Sequence, residues 1–255
     1  MKLSALVVVH NEEQRLTACL EKLGFADEIV VVLDKCTDGS KRIAQSFTDR
    51  LLEGSWELEG KRRNSGIDFC QGDWIVEIDA DEHVTPLLAE ELSALAHGSP
   101  FDYHEIPVDN WIGARLVRRG WGASFGKSAY PGLFRKNAKI WGHQRVHPRL
   151  ILRGRKGPVL QNRVQHYVDR NFSDMIRRFD AYSTARAKDL RESRDIGSGF
   201  HNVRRIFSRF FRCYVSRSGW REGGHGFLIA TFAALYPLVS YLKAKYDEQS
   251  PEQPQ

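Results

Sequence analysis

Asp79 and Asp81 directly follow a short apolar run, residues 74–78, whose composition predicts a buried strand. Carboxylates two residues apart point to the same face of an extended chain. Ligands of open α/β sheets bind beyond the carboxyl ends of the strands, where two hard oxygen ligands suit Mg²⁺ or Mn²⁺ bridging the phosphates of a substrate. Because this spacing also arises by chance, a polar strand end is the alternative, and the motifs upstream decide between the two.

The elements that must position these carboxylates alternate between strands and helices before residue 100. The predicted order is strand 3–9, a helix after Asn11, strand 28–33, a helix from residue 40 to about 47, strand 49–52, helix 61–70 and strand 74–78. Asn11 is placed to cap the first helix, with Glu12 and Glu13 in its first turn. Such alternation predicts βαβ units and a parallel sheet, and therefore an α/β fold.

Beyond residue 100 the pattern changes to short strand-like pieces and then to helices. The strand-like pieces are 103–108, 138–141 and 149–152, and helical periodicity returns over 172–190 and 200–215. Residues 227–242 carry no charge, and Pro237 interrupts them. The polar, proline-containing tail 248–255 is predicted to be disordered.

Positive charge is concentrated in one stretch of a chain whose net charge is +6. From Trp111 to Val168 there is no Asp or Glu, whereas the same stretch holds thirteen Lys and Arg residues. Since a solvated face normally mixes both signs, this bias predicts an anionic partner. Nucleic acid, an anionic membrane and a phosphorylated substrate all carry the required charge.

The cysteines and the N-terminal segment bear on the cellular compartment. The four cysteines are widely scattered and lack metal-ligand spacing, which predicts free thiols in a reducing compartment. The first apolar run, Leu3–Val9, is too short for a signal peptide. We therefore expect a protein of the cytosol or of the cytosolic face of a membrane.

Three motifs now occur in order: Asn11 and Glu13 after the first strand, Asp34 at the end of the second, and Asp79 with Asp81 after the fourth. In this order and spacing the chain resembles the inverting family 2 glycosyltransferases, which have the GT-A fold. Within that family it resembles the lipopolysaccharide core transferases that add β-linked glucose. The resemblance implies a Rossmann-like nucleotide-sugar-binding sheet with a C-terminal helical extension. It also implies a UDP-sugar donor, Mg²⁺ or Mn²⁺, and an anionic glycolipid acceptor such as the lipopolysaccharide inner core, with a polyprenyl-phosphate-linked sugar as the alternative acceptor.

The resemblance assigns roles to the motif residues by position. Asp34 matches the acidic residue that recognises the uracil of a UDP-sugar. Asn11 and Glu13 lie in the loop that contacts the nucleotide. Asp79 and Asp81 match the family's Asp-x-Asp pair, with Asp81 as the direct metal ligand.

Residues of the third predicted helix complete the expected donor site. Lys61 and Asn64 fall near the position where relatives bind the nucleotide, whereas Arg62 is predicted to lie on a solvated face of that helix. One departure from the family concerns the second motif, in which Lys35 stands where relatives usually have glycine. The shape of this turn is therefore left open.

The general base is harder to assign. An inverting transferase needs a base to take the proton from the acceptor hydroxyl, and relatives often carry a Val-His-Glu motif in the acceptor half. Here Pro148 follows His147, so the glutamate is missing. Because histidine has a suitable pKa without tuning, we predict His147 as the base. Asp109 is the leading carboxylate alternative, and the wider set of candidates also contains His143 and Asp169.

The predicted division of the chain is a nucleotide-sugar-binding half at 1–100, an acceptor-binding half at 101–170, a helical membrane-associating extension at 171–245 and the tail 246–255. Four arginines and three phenylalanines in the helix 200–215 suit an anionic membrane interface. They are Arg204, Arg205, Arg209 and Arg212 with Phe207, Phe210 and Phe211. We expect a peripheral protein on the inner face of the cytoplasmic membrane, with residues 227–242 either inserted in the bilayer or forming core.

Two other classes of protein compete with a transferase. A nucleic-acid-binding protein would use the arginine-rich middle of the chain but leaves the carboxylate motifs unexplained, so we expect no nucleic-acid partner. A non-catalytic relative that only binds nucleotide is favoured by Pro148 alone.

Overall fold

A computed structural model of the chain describes residues 1–122, 126–143, 149–194 and 196–247. These residues form two compact units, Met1–Leu116 with Lys127–Arg170, and Val117–Gly126 with the chain from Asn171 onward. Residues 117–126 thus group with the C-terminal helices, whereas the sequence division assigned them to the acceptor half. The tail predicted to be disordered, 248–255, lies outside the described residues.

The first unit is built on a mixed sheet. In chain order the described strands are β1 (Leu3–Val9), β2 (Glu28–Asp34), β3 (Leu51–Gly54), β4 (Trp74–Asp79), β5 (Glu82–His83), β6 (Tyr103–Ile112), β7 (Arg115–Val117), β8 (Ala129–Arg135), β9 (Lys139–Trp141), β10 (Leu150–Leu152) and β11 (Val164–Asp169). The sheet has the order β3-β2-β1-β4-β8-β6-β11-β5, with β7 beside β6, and β9 and β10 pair separately. The predicted parallel sheet is confirmed for β1 to β4, whereas β8 runs antiparallel to both of its neighbours.

The register of the parallel strands brings the motif residues to one edge. Val9 pairs with Leu33 of β2, and Val8 pairs with Asp79 of β4. The chain therefore leaves β1, β2 and β4 at the same level, and the loops that follow them share the carboxyl edge of the sheet. This is the edge at which α/β sheets bind ligands.

Helices cover both faces of the sheet, which explains why the parallel strands are apolar along their whole length. The helices are α1 (Leu16–Leu20), α2 (Ser40–Gln45), α3 (Glu59–Phe69) and α4 (Pro86–Gly98). Val7 and Val9 share a core with α1, α2 and α4, whereas Leu6 and Val8 pack with α3 on the opposite face. Gly66 allows the close approach of α3, because a Cβ there would lie 2.7 Å from a methyl carbon of Leu6.

The predicted helix cap at Asn11 is wrong. The first helix begins at Leu16, and its N-cap residue, Arg15, makes no side-chain cap hydrogen bond. Asn11 instead adopts a left-handed conformation with φ 55°, and its Oδ1 accepts a hydrogen bond of 2.8 Å from the backbone N–H of Thr37. Asparagine tolerates this conformation better than most residues, so turn chemistry displaces helix capping here.

The second unit consists mainly of three helices, α5 (Phe172–Glu192), α6 (Gly199–Phe211) and α7 (Gly224–Tyr246), with a π-helical turn at Arg212–Ser216. α7 packs against both α5 and α6. Lys243 of α7 forms an ion pair of 2.6 Å with Asp180 of α5. Between α7 and α6, the ring of Phe227 packs edge-on against the ring of Phe210.

α7 is longer than the uncharged stretch in the sequence suggests, since it spans 23 residues and includes Pro237. By length and composition it could cross a membrane, and it is the one described helix of which this is true. Half of its most apolar stretch of 18 residues is buried within the protein.

Candidate active site

The loops that follow β1 and β2 are tied together by side chains. The Glu13 carboxylate accepts a hydrogen bond of 2.8 Å from the backbone N–H of Gly39, and the backbone N–H of Glu13 donates to Asp38 at 3.0 Å. With the Asn11 contact to Thr37, these bonds fix both predicted nucleotide-contacting residues in a single polar rim. The rim borders a cavity of about 390 Å³ lined by Asn11, Glu12, Glu13, Gln14, Arg15, Asp38 and Arg170.

Asp34 is buried at the end of β2, and both of its carboxylate oxygens have partners. The backbone N–H of Trp56 donates to Oδ1 at 3.0 Å, and Arg62 contacts Oδ2 at 3.1 Å. The solvated position predicted for Arg62 is therefore wrong, because α3 directs this side chain toward β2. Lys35 takes a left-handed conformation with φ 52°, the conformation that glycine supplies most easily, and its ammonium donates to the carbonyl of Trp56 at 3.0 Å. This contact ties the Lys35 side chain to the segment that follows β3.

Asp79 lies between two cations. Its Oδ1 is 2.9 Å from a guanidinium nitrogen of Arg63, and its Oδ2 is 3.2 Å from the ammonium of Lys127. Burial alone would raise the pKa of this carboxyl, but Arg63 and Lys127 hold it well below its usual range. Asp79 therefore stays ionised, with both oxygens already engaged by protein cations.

Arg63 was not predicted, and it connects the site to a buried network. It contacts Glu59 at 3.0 Å and also reaches Glu77, whose other oxygen lies 2.7 Å from the ammonium of Lys139. Burial by itself would raise the pKa of the Glu77 carboxyl, but Lys139 and Arg63 keep it below its usual value. The sequence did indicate that such a partner exists, because Glu77 is a charged residue inside an apolar strand and therefore requires a buried partner.

Asp81 faces a second pair of nitrogen groups. Its Oδ2 lies 3.4 Å from Arg15 and 3.4 Å from Nε2 of His166. The other ring nitrogen of His166 is 2.8 Å from the side-chain oxygen of Asn110, which is fully buried. Asn110 in turn donates to the backbone carbonyl of Lys127 at 2.9 Å. This chain of contacts fixes the His166 ring beside Asp81, and sequence reasoning did not identify His166.

The donor set fits a divalent cation that is held largely by its substrate. No group of three His, Cys, Asp or Glu side chains within the described residues is arranged to enclose a metal ion. Asp81 and His166 nevertheless offer a carboxylate and an imidazole nitrogen close together. Mg²⁺ is commonly bound through one or two carboxylates plus substrate phosphates, so this pair is compatible with such a site. Asp79 fits less well because its oxygens pair with Arg63 and Lys127.

The two predicted donor-site residues on α3 have different environments. Lys61 is exposed. Asn64 exchanges two hydrogen bonds of 2.9 Å with the backbone of Trp141, one in each direction. Its amide therefore fastens β9 to α3.

Asp109 is the leading general-base candidate that the structure describes. His147 lies outside the described residues. Asp109 is buried on β6 with Arg163 at 3.6 Å. Its neighbour Asn110 points to the face that carries His166, and successive side chains of a strand alternate, so Asp109 points to the other face.

Part of the positive stretch neutralises acids of the protein itself. Within the described residues, several of its cations form ion pairs with carboxylates from outside the stretch, among them Lys127, Arg135, Lys139, Lys156 and Arg163. The charge bias in the sequence therefore overstates the charge that remains for an anionic partner.

With these contacts established, comparison with known proteins is decisive. The model of glycosyl transferase family 2 matches residues 4–145, which contain all three carboxylate motifs. The chain belongs to glycosyl transferase family 2. The predicted family is confirmed, and with it a glycosyltransferase activity.

Two bacterial relatives extend over nearly the whole transferase. It is 27% identical to the lipopolysaccharide core biosynthesis glycosyltransferase LpsC of Rhizobium meliloti, over 95% of this chain and 92% of that protein. It is 22% identical to an uncharacterized glycosyltransferase of Rickettsia felis, over 96% of this chain and 92% of the relative.

Among solved structures, residues 1–349 of TarS from S. aureus, crystallised with UDP-GlcNAc, match with a TM-score of 0.51 and 15% identity. The match covers 96% of this chain and 88% of that structure. At this identity the likeness concerns the fold, and it agrees with the predicted GT-A architecture and its C-terminal helical region.

Proposed function

We propose that this transferase moves a hexosyl group, with glucose the expected sugar, from a UDP-sugar to an anionic glycolipid of the lipopolysaccharide inner core, with inversion at the anomeric carbon. The observation that carries the proposal is the meeting of Asp34, Asp79 and Asp81 at the carboxyl edge of a family 2 sheet. The full-length similarity to LpsC, a lipopolysaccharide core transferase, supports the acceptor class. The UDP-GlcNAc bound to TarS supports the donor class.

Recognition of the uracil falls to Asp34. The N–H of Trp56 and the Arg62 guanidinium hold its carboxylate in a fixed orientation. Each carboxylate oxygen can accept more than one hydrogen bond, so Asp34 retains capacity for the imide N–H of uracil. Asn11 and Glu13, fixed in the rim beside it, contact the rest of the nucleoside, and Lys61 is free to reach the donor from α3.

Mg²⁺ or Mn²⁺ is the expected cofactor, with Asp81 as its carboxylate ligand and His166 as the neighbouring nitrogen ligand. When bound, such an ion stabilises negative charge on the departing diphosphate as a Lewis acid. Arg15 holds the Asp81 carboxylate in place at 3.4 Å. Arg63 and Lys127 keep Asp79 ionised and fixed next to it.

Calorimetry with nucleoside diphosphates tests the donor site. In the presence of Mn²⁺, UDP is expected to bind wild-type protein more tightly than GDP or ADP. Asp81→Asn should lose the dependence of UDP binding on Mn²⁺ while keeping a wild-type melting temperature, because it removes a charge without changing shape. As a matched control, Asp27→Asn alters a carboxylate at the opposite end of β1 and should bind UDP normally. Tighter binding of GDP, or unchanged metal dependence in Asp81→Asn, would contradict the assignment.

A further inference from the structure

α6 exposes several of its large apolar side chains. Phe200, Phe207 and Phe211 are 84%, 73% and 58% exposed, and Val203 between them is also exposed. Their spacing of three and four residues places them on one side of the helix, which we call the outer face of α6. A surface helix of a soluble protein normally turns such a stripe toward the core.

The inner side of α6 carries polar groups as well as apolar ones. Asn202 is buried, and Arg205 and Arg209 are half-buried. Burial lowers the pKa of the Arg209 guanidinium, and nearby Arg205 adds to the effect. Of the four arginines that the sequence assigned to a membrane interface, only Arg204 and Arg212 are exposed. The helix thus half-buries two arginines and leaves three of its phenylalanines exposed, whereas Phe210 packs against Phe227 of α7.

The segment that carries the outer face holds charged residues of one sign. Residues 199–221 contain six arginines and no Asp or Glu. Trp220, which follows the π-helical turn, is 54% exposed, with the exposed Arg221 next to it. Phenylalanine, tryptophan and arginine together are the composition of a segment that lies in an anionic lipid interface.

Other occupants fit this face less well. A second copy would bring one arginine-rich, acid-free segment against another, which like-charge repulsion disfavours. The chain's own tail, 248–255, contains no large apolar side chain that could cover the phenylalanines. An anionic bilayer supplies both the apolar layer and the compensating charge.

We propose that the outer face of α6, together with Trp220, docks into the headgroup region of an anionic phospholipid bilayer. The inference goes beyond the proposed sugar transfer. The docking depends on the proposed sugar transfer only for its biological purpose. That purpose is to hold the enzyme on the membrane surface that contains a lipid-linked acceptor.

Vesicle co-sedimentation of the full chain tests the docking without any sugar substrate. Wild-type protein should sediment with vesicles of phosphatidylcholine and phosphatidylglycerol, and much less with phosphatidylcholine alone or in high salt. The triple variant Phe200→Ser, Phe207→Ser and Phe211→Ser should partition about tenfold or more weakly, because it removes the side chains that enter the lipid. Leu87→Ser, which changes an equally exposed residue of α4, is the matched control and should behave as wild type.

A double variant that removes two exposed arginines tests the docking even if the triple variant fails to fold. Arg204→Gln with Arg212→Gln should weaken partitioning to anionic vesicles about tenfold. Lys22→Gln with Lys188→Gln removes the same charge from exposed positions elsewhere and should have little effect.

Wild-type protein that stays in the supernatant with anionic vesicles would overturn the inference, as would arginine variants that bind like wild type. If the wild-type protein is a dimer in solution and the triple phenylalanine-to-serine variant is a monomer, the outer face binds a second copy. That result would also overturn the inference. UDP calorimetry on the same preparations separates the two proposals. Normal UDP binding without vesicle binding would contradict only the docking. Vesicle binding without UDP binding would contradict only the donor assignment.

Discussion

At the scale of single residues, the buried carboxylate of Glu77 helps to position the side chains of the candidate site. It is fully enclosed on β4, two positions before Asp79, and is neutralised by Arg63 and Lys139. Arg63 spans from Glu77 to Asp79, so the buried network sets where the first carboxylate of the motif can lie. The indole N–H of Trp141 donates a hydrogen bond of 3.3 Å to the same Glu77 oxygen that Lys139 contacts.

Removing one partner from this network should be costly. Lys139→Met leaves Glu77 buried with less compensating charge, and we expect a loss of about 3 kcal/mol or more in the free energy of unfolding, measured by urea denaturation. Lys156→Met breaks an exposed ion pair with Glu105 and should cost less than about 1 kcal/mol. Equal losses in the two variants would show that the network contributes no more than a surface pair.

The general base remains a prediction at this scale. His147→Ala should lower the rate of sugar transfer strongly and leave UDP affinity unchanged, because a base acts on the acceptor hydroxyl rather than on the nucleotide. A wild-type transfer rate in His147→Ala, combined with an inactive Asp109→Asn, would move the role to the carboxylate.

The sequence predicted the acidic half of the site better than the basic half. Asp34 and Asp81 end or follow apolar strands, so their shared edge follows from strand topology. Arg63, Lys127 and His166 carry no such local signal, because exposed basic residues on helices and loops look the same in sequence. Their roles depend on contacts between segments 48 or more residues apart, or on one helix turning a particular arginine inward.

At the scale of elements, the buried strands were the most predictable. Continuous β-branched runs specify strands covered on both faces, and the strand beginning at Leu3 was placed correctly. The first helix was misplaced because Asn11 can serve a left-handed turn as well as a cap. The sequence predicted an apolar stripe on α6, but periodicity alone does not say whether that stripe faces the protein or the surroundings.

The approach of α3 to the segment after β9 gives an element-scale prediction. A Cβ on Gly60 would lie 1.8 Å from the backbone carbonyl oxygen of Gly142, so Gly60→Ala must push the two segments apart. We expect a loss of roughly 1–3 kcal/mol in the free energy of unfolding. UDP affinity should also fall, because α3 carries Arg62 and Arg63. Gly98→Ala is the control, since its Cβ meets open space at the end of α4.

The comparison of the two glycine variants can contradict this role of α3. If Gly60→Ala and Gly98→Ala unfold at the same urea concentration and bind UDP equally well, the close contact does not position the site. Substitution at Gly98 alone should change the free energy of unfolding by less than about 1 kcal/mol.

At the scale of the whole molecule, the two proposed tasks of the enzyme fall in different units. The sheet unit carries every described residue assigned to the donor, and the helical unit carries the outer face of α6. The motifs and the composition of the sequence predicted these two tasks, but not that residues 117–122 and 126 belong with the helices. That grouping depends on long-range contacts such as the two backbone N–H groups of Arg118 and Arg119 donating to Glu222.

Transfer of sugar to lipopolysaccharide is the most direct measurement of the central claim. Lipopolysaccharide from a deletion strain would be incubated with the purified full chain, Mn²⁺ and UDP-glucose, and its core oligosaccharide analysed by mass spectrometry. The account predicts the addition of a single hexosyl unit by the wild-type enzyme and none by Asp81→Asn. Failure to add sugar from any UDP-sugar, or equal transfer from GDP- or CMP-linked sugars, would contradict it.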